Sequence, residues 1–231
     1  MNYELIIIIL SYSENFYFKK LKKIHSKYLE KINNVKLIFS ELNTNINHDT
    51  FFENNTFYIN GNNINLCLDL TIKYINNNFN YNYVLITEIN NFINISNVLS
   101  YINTLSHNPI YSGFYSVGYV LKNFILLNKI SCDYILEYYR KENYSNNDIE
   151  IIISQIMNIN NVPYIEPKNY KFLIITDKKY VCKFNNNFIY YQTLGNYNKY
   201  NFDKNSLIVN LDNINETLNL VYISDLLNYF N

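Results

Sequence analysis

The chain has 231 residues, and its 19 basic and 19 acidic residues cancel to a formal net charge of zero. This length suits one α/β domain with at most a small appendage. The balanced charge excludes the strong field that would attract nucleic acid or an anionic membrane. There are 25 Tyr and 15 Phe but no Trp, and Arg140 is the only arginine. Since Ile, Asn, Lys, Tyr and Phe have AT-rich codons, this bias is typical of an AT-rich genome, such as that of a giant DNA virus, a protist or a bacterium.

Cysteine usage and hydropathy indicate the compartment. Cys67, Cys132 and Cys182 are odd in number and widely spaced, which argues against a disulfide framework or a zinc site and favours a reducing compartment. The apolar run Leu5–Leu10 is too short to span a membrane, and no basic region precedes it. We therefore expect a cytoplasmic protein with no membrane span and no nucleic-acid partner.

The first half of the chain alternates predicted strands and helices. Strands are predicted at 3–10, 35–42, 56–60, 83–88 and 109–115, and helices at 16–32, 64–75 and 95–105, with a polar loop at 43–55. Two successive strand–helix–strand units imply a mostly parallel sheet with right-handed crossovers. The lysines of the first helix are interpreted as a solvated face, with diphosphate binding as the alternative.

The second half is predicted to begin with helices and to end in strands. Val117–Ile130 is dense enough in apolar residues to predict a buried helix, continued by Tyr134–Tyr139 after a break. A further helix is predicted at 147–159, capped by Ser145 or Asn146. Strands are predicted at 170–176, 180–184 and 188–193, and a terminal helix at 214–230. The sequence thus predicts two domains, 1–167 and 168–231, the second a β-rich extension with a terminal helix packed on the first.

The stretch Tyr83–Asn94 carries the clearest functional signal. An apolar strand ends in Glu88 and Asn90, two side chains with oxygen atoms at positions i and i+2. Open α/β sheets bind their ligands at the carboxyl ends of the strands. The alternative interpretation is that both are ordinary loop residues after a strand.

Four segments, in order, make the chain resemble the beta-1,3-galactosyltransferase and Fringe-like glycosyltransferases over roughly residues 3–165. They are Asn65–Asp69, Thr87–Asn94, Ile110–Gly113 with Gly118–Lys122, and Asn147–Glu150. The family pattern at the second segment, with its strand, is Tyr-Val-Leu-Lys-Thr-Asp-Asp-Asp-Thr-Phe-Val-Asn. At the third segment the family has Tyr-Ile-Gly followed by Gly-Gly-Gly-Tyr-Val-Leu-Ser. At the fourth segment it has Glu-Asp-Val. The resemblance implies the GT-A (Rossmann-like) α/β fold, a mixed, mostly parallel sheet flanked by helices.

The resemblance also implies a reaction. A sugar would pass from a nucleotide-sugar donor, of the UDP-sugar type, to a hydroxyl of a glycan or protein acceptor, with inversion. A divalent cation, Mn or Mg, held by Glu88 and Asn90 would neutralise the departing diphosphate. Because Asn90 is neutral, we expect weak metal binding. Asp148 matches the position of the catalytic base, although a carboxylate in the first turn of a helix also suits the helix dipole.

Further donor contacts are predicted around the same sheet edge. Ser11 and Tyr12 follow the first strand, where this architecture binds the nucleotide base, and Tyr12 could stack on uracil. Gly113 and Gly118 are two of only four glycines, which predicts a backbone requirement. That requirement is either close approach to the substrate or a turn and tight packing. His107 lies in a loop from which it could reach the site.

Departures from the family pattern leave other hypotheses open. Asp69 stands where the family has lysine, and only Phe114–Val117 separate the two glycine elements, where the family has a longer acceptor-side segment. These changes favour, as the alternative, a catalytically impaired protein of the same fold that binds glycans or acts as a scaffold. A third hypothesis is an unrelated α/β nucleotide-binding protein, although neither a P-loop nor a Gly-x-Gly-x-x-Gly motif is present.

Overall fold

A computed structural model describes residues 2–11, 16–44, 46, 48–106, 109–116, 118–142, 147–175, 180–184, 191–192 and 206–210, with side chains only up to residue 170 and not at 16 and 17. The chain divides into two compact units. The first comprises Met1–Ile89 and Ser106–Glu166, and the second comprises Asn90–Leu105 and Pro167–Asn231. The division into domains 1–167 and 168–231 stays a prediction.

The described elements follow one another in the order expected of an α/β protein. The strands are β1 (Asn2–Ser11), β2 (Val35–Leu42), β3 (Thr50–Glu53), β4 (Thr56–Ile59), β5 (Asn80–Glu88), β6 (Asn91–Ile93), β7 (Tyr111–Ser116), β8 (Tyr119–Asn128), β9 (Tyr164–Ile165), β10 (Lys171–Ile175), β11 (Tyr180–Phe184), β12 (Tyr191–Gln192) and β13 (Ser206–Asn210). The helices are α1 (Phe16–Leu29), α2 (Ile64–Asn78), α3 (Ile95–Ile102), α4 (Lys129–Lys141) and α5 (Ile149–Ile159).

In the described part of the first unit, eight strands form one sheet in the order β3-β4-β2-β1-β5-β8-β7-β9. Strands β4, β2, β1 and β5 run parallel, whereas β3, β8 and β7 each pair antiparallel with a neighbour. The sheet is mixed and mostly parallel, since β7 and β9 are also parallel. The predicted α/β fold, with a mixed, mostly parallel sheet, is confirmed.

Strand β1 lies in the middle of this sheet, between β2 and β5, and both of its faces are covered. Every residue of Leu5–Leu10 is fully buried, as expected for a continuous apolar run in a parallel sheet. On one face the apolar side chains pack with α2, α4 and α5 in a single core cluster. On the other face α1 contacts the sheet, as where Lys22 lies 5.6 Å from the centre of the Phe39 ring. The predicted strand and helix boundaries are close to those observed for β1, α1, β2 and α2.

The predicted helix at Val117–Ile130 is wrong. Tyr119–Asn128 is strand β8, paired antiparallel with both β5 and β7. Residues Phe124–Asn128 are consecutively buried, and a run buried on both faces lacks the period that separates a strand from a buried helix. The break placed before Tyr134 is also absent, because α4 runs without interruption from Lys129 to Lys141.

Two smaller predictions are corrected. The segment 43–55 contains β3, which pairs antiparallel with β4. The N-cap of α5 is Asp148, rather than Ser145 or Asn146.

In the described part of the second unit, five strands form a sheet in the order β12-β11-β10-β13-β6. Strand β10 pairs antiparallel with β11 and parallel with β13, and α3 packs against β13. This confirms a small β-rich part at the C-terminal end of the chain. The predicted helix at 214–230 lies outside the described residues. Among the described helices, none combines the length and the hydropathy that crossing a membrane requires.

Candidate functional site

The sheet of the first unit has a topological switch point between β1 and β5. From β1 the chain continues to β2 on one side, while β5 lies on the other side. In open α/β sheets, ligands bind outside the carboxyl ends of the two strands at such a point. Here those ends are formed by Ser11 and Glu88, and Leu10 pairs in register with Glu88.

Glu88 forms an ion pair with Lys122. Lys122 Nζ lies 3.0 Å from Glu88 Oε1, and the two side chains are 38% and 12% exposed. Because β8 runs antiparallel to β5, with Ile86 opposite Ile125, Lys122 lies beside the carboxyl end of β5. The neighbouring residues are joined as well, since Thr87 Oγ1 donates a hydrogen bond of 2.6 Å to the Asn123 carbonyl.

The start of α5 adds two carboxylates to this edge. Asp148 is exposed, and its side chain makes no capping hydrogen bond to α5. Glu150 is only 9% exposed, and its Oε2 has no hydrogen-bond partner among the described residues. Burial raises the pKa of the Glu150 carboxyl, whereas the positive charge of Lys122 lowers it in part. Lys122 therefore acts electrostatically on Glu150 while it pairs with Glu88.

Asn65, near the N-terminus of α2, fixes the segment that leads into α5. Its Nδ2 donates a hydrogen bond of 2.8 Å to the Asn147 carbonyl. Its Oδ1 accepts one of 3.0 Å from the Tyr139 hydroxyl. Asn65 is 1% exposed, and buried hydrogen bonds of this kind fix the backbone that they hold. The position of Asp148 therefore depends on a residue more than 80 positions earlier in the chain.

His25 on α1 holds the backbone immediately after Glu88. Its Nε2 lies 3.0 Å from the Ile89 carbonyl oxygen, and since a carbonyl can only accept, Nε2 carries the donated proton. The ring is 2% exposed, and burial lowers the pKa of His25 to about 4, although the hydrogen bond to Ile89 opposes this. His25 is thus neutral at physiological pH.

A second pair of polar side chains lies at the ends of β1 and β2. Ser11 is in register with Glu41, and both are buried, with 0% and 1% exposure. Lys22 on α1 forms an ion pair with Glu41 Oε2. Ser11 Oγ and Glu41 Oε1 have no hydrogen-bond partner among the described residues. Buried polar atoms of this kind call for a ligand, an ion or water.

Gly113 and Gly118 are each required by the backbone, for different structural reasons. Gly118 has a φ of +96° in the turn between β7 and β8, and a Cβ there would contact nothing within 4 Å. A Cβ on Gly113 would lie 2.1 Å from the Phe124 carbonyl oxygen and 2.3 Å from Val120 Cγ1. The turn and the tight strand contact account for both glycines, and a donor contact by Gly118 stays a prediction.

The remaining predicted site residues are not all described. Asn90 is the first residue of the second unit, directly before β6. Tyr12 and His107 lie outside the described residues. The roles predicted for Ser11, Glu88, Asn90, Asp148 and Gly118 stay predictions.

Sequence reasoning missed the roles of Lys122, Glu150, His25 and Glu41. Lys122 was the last residue of a recognised segment, but the predicted helix concealed that it lies on a strand next to β5. A lysine that interrupts the apolar run of β8 was the available signal. His25 and Glu41 gave no local signal, because their contacts join positions at least 19 residues apart.

The predicted divalent cation fits these residues poorly. Hard cations in proteins bind oxygen ligands such as carboxylates, and of the two predicted ligands Glu88 alone is charged, while Asn90 belongs to the second unit. Glu88 Oε1 already lies 3.0 Å from the ammonium of Lys122. A metal ion at that oxygen would have to displace the lysine.

Comparisons with known proteins give the fold an external reference. No protein-family model matches the sequence, and no curated protein matches it. Among solved structures, the chain is similar to the crystal structure of a glycosyltransferase involved in the glycosylation of the major capsid of PBCV-1. The TM-score is 0.54 at 11% sequence identity, over 96% of this chain and 99% of that chain. A likeness at this identity establishes the fold and leaves the chemistry to the residues.

Proposed function

We propose that this chain is a glycosyltransferase that moves a sugar from a nucleotide-sugar donor, of the UDP-sugar type, to a hydroxyl of a glycan or protein acceptor. The proposal is carried by the convergence of the four segments that resemble Fringe-like transferases. Asn65 of the first bonds to Asn147 of the fourth, and Glu88 of the second pairs with Lys122 of the third. The fold shared with the glycosyltransferase of PBCV-1 capsid glycosylation supports the same reaction class.

The donor would lie across the carboxyl ends of β1 and β5, with its nucleotide toward Ser11 and its diphosphate toward Glu88 and Lys122. The acceptor oxygen attacks the anomeric carbon, and the bond from that carbon to the phosphate oxygen breaks. Its electron pair leaves with the nucleoside diphosphate. Asp148 accepts the proton of the acceptor hydroxyl, since its carboxylate is exposed at the start of α5. One direct displacement inverts the anomeric configuration.

The test is donor turnover. The protein is incubated with UDP-, GDP- and dTDP-sugars and a panel of acceptor glycans, and release of the nucleoside diphosphate is measured. We expect acceptor-dependent release, reduced about 100-fold or more by Asp148→Asn, because a general base contributes at least that factor. Asp133→Asn, at an exposed position on α4, is the matched control. Binding of none of these nucleotides would contradict the proposal.

One observation favours a second candidate function, a catalytically impaired protein of the same fold that binds glycans. Glu88 is neutralised by Lys122, and its partner in the predicted corner, Asn90, carries no charge. Thermal unfolding with glycans and with UDP separates the two candidates. Stabilisation by a glycan without stabilisation by any nucleotide would favour the binding protein.

A further inference from the structure

We infer that the ammonium of Lys122 supplies the positive charge that holds and stabilises the donor diphosphate, in place of a divalent cation. This inference depends on the proposed function, since it assigns the charge partner of the same donor. It makes nucleotide binding independent of metal and dependent on one residue of β8.

The position of Lys122 is the first support. Its Nζ lies 3.0 Å from Glu88 Oε1, at the carboxyl end of β5, and β5 borders the switch point where an α/β sheet binds ligands. The hydrogen bond of 2.6 Å from Thr87 to the Asn123 carbonyl joins the two strands beside this pair. The location of the ammonium is thus set by the sheet rather than by a loop.

The second support is the exposure of the Lys122 side chain and the number of hydrogen bonds that its ammonium can donate. Lys122 is 38% exposed, whereas Glu88 is 12% exposed, so a ligand at this edge can reach the ammonium more easily than the carboxylate. An ammonium carries three N–H donors, so it can bind Glu88 and phosphate oxygens together. Lysine binds phosphate in many proteins as a point charge.

The third support is the charge around the ammonium. Burial raises the pKa of Glu150, and the positive charge of Lys122 opposes this rise, so the lysine interacts with Glu88 of β5 and also with Glu150 of α5. The negative charges of these carboxylates favour a cation at this place, and the ammonium of Lys122 is that cation. A divalent ion at Glu88 would lose the energy of the existing ion pair.

Calorimetric titration with UDP, GDP and dTDP tests the inference. Each nucleotide is titrated into the full chain in EDTA and again in Mn²⁺ or Mg²⁺. We expect one of them to bind in EDTA, with an affinity that the metals change by less than about threefold, which corresponds to under 1 kcal/mol.

Variants of Lys122 and Glu88 test which residue supplies the charge that binds the diphosphate. Lys122→Met is expected to weaken binding roughly 10- to 100-fold, the effect of one hydrogen bond to a charged group, and Lys122→Arg to restore part of it. Glu88→Gln keeps the shape of the side chain but removes its competing charge, so binding in EDTA is expected to persist or to tighten. Lys129→Met, at an exposed lysine following the other end of β8, is the control that should leave binding unchanged. Circular dichroism confirms that each variant is folded.

The outcomes separate this inference from the proposed function. Binding in EDTA that Lys122→Met weakens to this extent and Glu88→Gln retains supports the inference. Binding that requires metal and is lost in Glu88→Gln overturns it, and leaves a metal-dependent glycosyltransferase in place. Binding of no nucleotide under either condition overturns the proposed function together with this inference.

Discussion

Lys122 Nζ on β8 lies 3.0 Å from Glu88 Oε1 at the end of β5, so the acidic corner of this sheet already contains a cation. A double-mutant cycle of Lys122→Met and Glu88→Gln measures how strongly the two are coupled. Since Lys122 is 38% exposed, solvent screens the pair, and we expect a coupling free energy of about 0.5–1 kcal/mol in urea unfolding. The coupling should fall as salt is added. A coupling of zero at low salt would contradict the ion pair.

His25 predicts a dependence of stability on pH. Burial lowers its pKa to about 4, compared with about 6.5 in an unfolded chain. Between these values the unfolded state binds the proton more readily, so stability rises with pH up to about 6.5 and is lost as the pH falls toward 4. We expect a loss of about 3 kcal/mol in unfolding free energy between pH 7 and pH 4 from this residue alone.

His25→Gln is the control for that measurement. Its amide nitrogen can still donate to the Ile89 carbonyl, but the side chain does not titrate. Urea unfolding of both proteins at pH 7 and at pH 4 gives the comparison. Parallel loss of stability in the wild type and the variant would mean that His25 is not the titrating group.

Asn65 is predicted to contribute both to the stability of the fold and to sugar transfer. Asn65→Ala removes its hydrogen bonds to Asn147 and Tyr139, and we expect a loss of roughly 1–3 kcal/mol in unfolding free energy. Because the hydrogen bond from Asn65 to the Asn147 carbonyl fixes the start of α5, acceptor-dependent turnover should fall as well. Tyr139→Phe removes only the second bond and is expected to reduce stability with little effect on turnover. Equal effects of the two variants on turnover would contradict the role given to Asn65.

The parallel strands β1, β2 and β5 were predictable because they are apolar runs bounded by polar residues. Strand β8 was not, since Tyr119–Asn128 is also dense in apolar residues but belongs to an antiparallel hairpin with β7. Periodicity cannot separate a fully buried strand from a buried helix. The same error concealed Lys122. His25 and Glu41 were unpredictable for another reason, because their partners come from distant parts of the chain.

Gly113 tests the hairpin that carries Lys122. A Cβ at this position would lie 2.1 Å from the Phe124 carbonyl oxygen, which is backbone and cannot move aside cheaply. Gly113→Ala is expected to lower the unfolding free energy by roughly 1–3 kcal/mol, the usual cost of overpacking. Gly118→Ala tests the left-handed turn instead, where only the φ of +96° is unfavourable. A Gly113→Ala variant as stable as the wild type would contradict the close contact between β7 and β8.

The most direct test of the site is a crystal structure of the full chain with UDP, obtained once in EDTA and once in Mn²⁺. We expect a diphosphate at the carboxyl ends of β1 and β5, with a phosphate oxygen within hydrogen-bond distance of Lys122 Nζ under both conditions. A diphosphate bound elsewhere on the chain, or bound here only through a metal ion on Glu88, would contradict this expectation.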